Sequence, residues 1–146
     1  VRRQVVTARD DSWVKANREM ADRVLADVPC TGTGAWRRNL DAKWRFQPDD
    51  LDHLIEMQRQ IVEQAASLVA PGGRLIYATC SLLREENEEQ LDWIAENLPE
   101  FRVIPVEDVW AETIGGVQPG QGQYMRLSPA STGTDGFFCA VLEKSA

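Results

Sequence analysis

Histidine is nearly absent from this chain, with His53 alone, and cysteine is scarce: Cys30, Cys80 and Cys139 form no CxxC pair and no cluster with that histidine. That pattern excludes a zinc site and a disulfide framework. It leaves widely spaced thiols, which are either small buried residues or nucleophiles. No stretch approaches the roughly 18 consecutive apolar residues a membrane span requires, and Val1-Arg2-Arg3-Gln4 is no signal peptide; no membrane partner and a cytoplasmic location are expected. Positive charge is also short, since 16 Lys and Arg against 23 Asp and Glu give a net charge of −7, a poor balance for binding phosphates. What remains is ordinary: 146 residues, 43% hydrophobic and 27% charged, supply one soluble globular unit with one core.

The basic residues are unevenly placed. Arg37, Arg38, Lys43 and Arg45 fall within nine positions, interleaved with Trp36 and Trp44, whereas acidic residues gather in 85–89 and around Asp49 and Glu107. Arg37, Arg38 and Lys43 therefore form a candidate RNA-contacting loop, with a solvated loop as the alternative.

Hydrophobic periodicity orders the rest. The first ten residues, ending Val5-Val6-Thr7-Ala8-Arg9-Asp10, read as a short strand followed by a polar turn, and residues 21–30, where Val24, Leu25 and Val28 precede a proline, as a buried strand running into a loop. Pro48-Asp49-Asp50 opens a helix whose apolar face runs through Leu51, Leu54, Ile55, Ile61, Val62, Ala65 and Val69, and Pro71-Gly72-Gly73 stops it. A second buried strand covers 74–81. The glutamates of 85–89 suit a helix start and a solvated surface, with Leu91, Ile94, Ala95 and Leu98 as the buried stripe of that helix. A strand at 101–106, a loop rich in Gly, Pro, Gln and Ser, and a last strand at 137–144 complete the chain. This rhythm predicts an α/β fold, a mainly parallel sheet whose last strand returns antiparallel at the edge.

Such sheets bind ligands beyond the carboxyl ends of their strands. Asp27-Val28-Pro29-Cys30 ends one expected strand and Thr79-Cys80-Ser81 ends the next, so two thiols fifty positions apart are expected at one edge. Cys139, among Phe137, Phe138, Ala140 and Val141, reads as core. Gly32-Thr33-Gly34 lacks the third glycine of a dinucleotide loop because Arg37 stands there. His53 reads as surface, Gln58 as a buried amide satisfied by backbone, and Asn87 as a candidate for orienting the Cys80 loop.

Three blocks in order, residues 27–45 (DVPCTGTGAWRRNLDAKWR), 71–90 (PGGRLIYATCSLLREENEEQ) and 135–144 (DGFFCAVLEK), resemble the NOL/NOP/Sun family of S-adenosylmethionine-dependent RNA cytosine-5 methyltransferases. The resemblance covers nearly everything after residue 20. It implies the C-terminal half of a Rossmann-like methyltransferase fold, with S-adenosylmethionine as cofactor and RNA, ribosomal RNA above all, as partner. Cys80 would be the nucleophile, Cys30 would assist release, and Asp27 would face both cytosine and cofactor, with Pro29 beside it. Asp10 would lie near the cofactor's adenine. Val28, Thr31, Leu40 and Arg84 depart from the family's usual residues, and none of them removes a reacting group.

The chemistry explains the residue set. Carbon 5 of cytosine is too electron-poor to attack a methyl sulfonium until a thiolate adds at carbon 6; loss of the carbon 5 proton then lets the thiolate leave. An acidic residue near nitrogen 3 stabilises the charge that develops. A DNA cytosine-5 methyltransferase would use Cys30 as nucleophile, and the second Thr-Cys argues against it. An amino-group methyltransferase would place an aromatic where Cys30 stands. No segment matches the glycine-rich loop for the cofactor's methionine portion, so residues 1–146 read as a partial catalytic domain whose missing N-terminal segments complete the site, and the fragment alone is expected to be inactive. A noncatalytic RNA-binding or assembly module that retains the fold is the competing expectation.

Overall fold

The computed structural model describes residues 3–6, 12–119 and 122–146. After a short helix α1 (Ser12–Ala16), the chain runs through β1 (Ala21–Asp27), a 3-10 turn (Thr33–Ala35), α2 (Leu40–Arg45), α3 (Pro48–Leu68), β2 (Val69–Thr79), α4 (Glu88–Asn97), β3 (Phe101–Ile104), α5 (Val106–Thr113), β4 (Met125–Leu127), α6 (Pro129–Thr132) and β5 (Phe137–Lys144).

The sheet order is β1-β2-β5-β3, with β4 paired to β5. β1 and β2 are parallel, and β5 is antiparallel to β2, β3 and β4. Four strands thus share one direction and β5 alone opposes them, giving the expected α/β class. Its place differs from the expectation: β5 lies inside the sheet, between β2 and β3. Its run of Phe138, Ala140, Val141 and Leu142 is buried, the near-continuous burial of a strand covered on both faces. β3 pairs with Val141 to Lys144 of β5 and β4 with Phe137 to Cys139, so these two short strands occupy successive lengths of it.

α3 begins where its sequence dictates. Pro48 takes the first position, where no amide hydrogen is missed, and Asp50 Oδ2 accepts the Gln47 amide at 2.8 Å. The helix buries Gln58, Val62, Ala65 and Ala66, and α4 buries Gln90, Leu91 and Ile94. Leu75, Ile94 and Leu142 are sealed; each such side chain contributes roughly 1.5–3 kcal/mol by leaving water.

Three boundaries differ from expectation. Pro71-Gly72-Gly73 lies within β2 and not before it: between Ala21 and Arg23 the register jumps from Val69 to Arg74, and Gly72 at φ +71° lets the extra residues bulge. α4 starts at Glu88, three residues late, and α5 occupies what read as strand end and loop. No strand forms at Val5–Val6, and residues 7–10 of that expected strand and turn, Asp10 among them, lie outside the described residues.

Candidate active site

Parallel pairing carries the register to Asp27 opposite Ala78, and the Val28 amide still donates to the Ala78 carbonyl at 3.2 Å. Pro29 has no amide to offer, so the ladder ends and the two chains turn outward together. Cys30 and Cys80 leave neighbouring strand ends and meet with sulfurs 3.3 Å apart, a hydrogen bond either thiol can donate. This is the juxtaposition expected from strand order. Cys30 is half-buried and Cys80 exposed.

Burial pushes the Cys30 thiol up to about 12 from an ordinary 9.0, and its hydrogen bond with Cys80 adds to the rise. Cys30 therefore keeps its proton at neutral pH, within hydrogen-bonding reach of the Cys80 sulfur. Cys139, half-buried where full core burial was expected, is raised by burial to about 11, and Tyr77 is also raised, by burial and then by the nearby Glu86. All three favour the neutral form in the fold, so the stability they contribute is complete below about pH 9 and is lost as pH rises from that ordinary value toward about 12. Melting temperature is expected to fall over this alkaline window, and to fall less in Cys30→Ala; equal slopes would contradict the assignment.

The loops bearing the thiols are laced together. The Gly34 amide donates to the Cys80 carbonyl at 3.0 Å, and the Gly136 amide to the Gly34 carbonyl at 2.9 Å. Thr33 Oγ1 accepts the Leu82 amide at 2.8 Å and lies 3.1 Å from Ser81 Oγ, which is also 3.3 Å from Thr31 Oγ1. Gly34 is buried, and a Cβ there would sit 2.7 Å from the Gly136 Cα. Gly32-Thr33-Gly34 is thus a tight turn that brings backbone against backbone.

Beneath the loops lies a buried polar layer, of which the sequence reading picked out Gln58 and Asn87 but missed Glu86. Glu86 and Asn87, read with their acidic neighbours as a solvated helix start, are both fully buried. Glu86 accepts hydrogen bonds from the Thr31 amide at 2.8 Å, Thr31 Oγ1 at 2.5 Å and Gln58 Nε2 at 3.0 Å. Gln58 also donates to the Pro29 carbonyl at 2.9 Å, which matches its expected backbone satisfaction. Asn87 accepts from Thr79 Oγ1 at 2.7 Å and donates to the Ser81 carbonyl at 3.0 Å, as its candidacy for orienting the Cys80 loop requires. The available signal was periodicity: Asn87, Leu91, Ile94 and Leu98 continue one helical stripe inward.

Asp27 and Pro29 are exposed at the end of β1, and among the described residues no ion pair or side-chain hydrogen bond engages the Asp27 carboxylate. Arg37 and Arg38 both pair with Asp135, Arg37 Nε at 2.5 Å, so these two cations tie their loop to the approach of β5. Trp36 donates to the Thr31 carbonyl at 3.2 Å and packs on Phe46. Trp44 is 78% exposed, with the Lys43 ammonium 5.6 Å from its ring centre. A cavity of about 420 Å³ opens between α2 and α3, lined by Cys30, Arg45, Phe46, Asp50 and His53 among others; His53 is exposed, as expected, and shares this cavity with Cys30.

The family model for 16S rRNA methyltransferase RsmB/F matches residues 2–143. Ribosomal RNA small subunit methyltransferase B of Vibrio cholerae is 37% identical over 126 residues, covering 86% of this chain and 26% of that protein. A putative methyltransferase of Mycobacterium tuberculosis is 38% identical over 125 residues, 84% of this chain and 26% of its own length. Among solved structures, PH0851 superposes with a TM-score of 0.78 at 39% identity over 93% of this chain and 29% of its own. NSun6 from Pyrococcus horikoshii, crystallised with SFG, gives 0.64 at 26% identity over 84% and 29%. The chain thus spans between a quarter and a third of the length of these relatives.

Proposed function

The chain belongs to the RsmB/F family of 16S rRNA methyltransferases, and from that premise we propose that it carries the reacting groups for methylating carbon 5 of a cytidine in ribosomal RNA through a covalent Cys80 adduct. The observation that supports this most is the sulfur pair at 3.3 Å, one thiol exposed and the other half-buried and protonated. A noncatalytic module has no need for that arrangement.

In this reading the exposed Cys80 sulfur gives up its proton to solvent and adds to carbon 6 as the thiolate, and the ring electrons it displaces make carbon 5 nucleophilic. S-adenosylmethionine, when bound, supplies the electrophilic methyl group. Asp27 and Pro29 suit one wall of its site: an uncommitted carboxylate stands exposed at the carboxyl end of a parallel strand, three residues before Cys30, where open α/β sheets take ligands. The same carboxylate polarises the cytosine. Asp10 remains the proposed neighbour of the adenine, and a glycine-rich loop elsewhere in the full-length protein holds the methionine portion. Release uses Cys30. Its proton passes to the Cys80 sulfur as the bond to carbon 6 breaks, and the carbon 5 proton replaces it on Cys30, restoring both thiols and the ring double bond. Lys43, beside the open Trp44, meets the RNA backbone, and Arg37 and Arg38 do so by exchanging Asp135 for phosphate. Free thiols of this kind suit the reducing cytoplasm.

Full-length protein incubated with 16S rRNA and methyl-labelled S-adenosylmethionine, followed by nuclease digestion, is expected to yield label in 5-methylcytidine. Label on an exocyclic amine or on another nucleoside would overturn the reading.

A further inference from the structure

Consecutive buried residues divide the two cysteines between them. Asn87 bonds both residues that flank Cys80, accepting from Thr79 and donating to the Ser81 carbonyl. Glu86 does the same for Cys30 from the other side: it takes the amide and hydroxyl of Thr31, and through Gln58 it reaches the carbonyl of Pro29. The Glu86 carbonyl is itself held by Tyr77 Oη at 2.7 Å, on the strand that delivers Cys80. One dipeptide before α4 therefore references both thiols to the same backbone.

A carboxylate is an expensive means of holding a loop. Glu86 is fully buried, and among the described residues no lysine or arginine pairs with it. Burying such a group is unfavourable unless hydrogen bonds compensate. Two of its three donors come from Thr31 and the third from Gln58 on α3, so most of its compensation depends on the Cys30 loop staying where it is. The tie is selective too: no side-chain bond from Glu86 reaches Thr79, Cys80 or Ser81 among those described.

We propose that Glu86 is a positioning residue for release, holding the Cys30 thiol within hydrogen-bonding reach of the Cys80 sulfur while leaving the attacking thiol to Asn87. The inference rests on the assignment of attack to Cys80 and release to Cys30. Loss of the carboxylate lets Cys30 drift, and misplacement by about 1 Å can cost on the order of a hundredfold in the step that depends on it.

The test is the lifetime of the protein–RNA adduct in the full-length protein, read by denaturing gel after a cofactor chase, in Glu86→Ala, Glu86→Gln and Cys30→Ala. Glu86→Ala is expected to lengthen the lifetime at least ~10-fold with adduct formation little changed. Glu86→Gln, whose amide keeps an acceptor for the Thr31 and Gln58 donors, should restore a lifetime within about threefold of wild type. Folded Glu86→Ala with a wild-type lifetime would overturn the proposal, as would an equal slowing of formation and release, which marks a merely structural role. If Glu86→Ala does not fold, Thr31→Val decides: it removes one of the three donors, and an unchanged lifetime there counts against the proposal. Should Cys30→Ala itself give no long-lived adduct, the assignment of release to Cys30 fails first; a long-lived Cys30→Ala adduct beside a normal Glu86→Ala one refutes the positioning role alone.

Discussion

Replacing Cys80 by alanine is expected to lower methyl transfer by on the order of 10⁴-fold or more and to abolish the protein–RNA adduct, because no other exposed thiol stands near to attack carbon 6. Cys30→Ala is expected to fail differently. Attack proceeds, the carbon 5 proton finds no acceptor and the departing sulfur no donor, and the adduct persists. The asymmetry follows from environment: the two thiols touch, yet Cys80 is exposed while Cys30 is half-buried, and burial pushes the Cys30 thiol up to about 12. A deletion that removed half of a symmetric pair would give the same phenotype from either side, so unequal phenotypes are the signature of unequal roles.

Gly34→Ala should be the most damaging single methyl group in the molecule. Its Cβ would lie 2.7 Å from the Cα and carbonyl carbon of Gly136. Both neighbours are backbone, so no side chain can rotate aside, and overpacking of this kind costs about 1–3 kcal/mol. The damage is also directed: the Gly34 amide bonds the Cys80 carbonyl and its carbonyl receives Gly136, so any shift moves the Cys80 loop, and methyl transfer should drop by roughly 100-fold. Gly32→Ala provides the contrast. That position has φ +68° with open space around it, so only the left-handed backbone penalty of about 1–2 kcal/mol applies, with the cysteine geometry retained. Thermal denaturation and methyl-transfer rates of the two variants separate close approach from backbone strain; equal losses of activity would contradict the reading.

Local signals located α3 almost to the residue, since a proline, two aspartates and a long apolar stripe all agree. The meeting of Cys30 and Cys80 was legible for a different reason: parallel strands bring their carboxyl ends to one edge whatever the loop between them does. What escaped depended on contacts made after the sheet assembles. β5 read as an edge strand because no helix was expected before it, although its unbroken apolar run already argued for two covered faces. Glu86 escaped because a glutamate among three acidic neighbours is usually solvated; only the approach of Thr31 and Gln58 makes burial of this one tolerable. Arg37 and Arg38 read as free cations, and the distant Asp135 that engages them could not be matched by spacing.

The central claim is that Cys80 attacks and Cys30 releases. A denaturing gel of full-length protein incubated with labelled ribosomal RNA and S-adenosylmethionine tests it most directly. A slow-migrating protein–RNA band in Cys30→Ala, absent from Cys80→Ala and from the double substitution, is the predicted result. A band that accumulates in Cys80→Ala and never in Cys30→Ala would contradict the account and reverse the two roles.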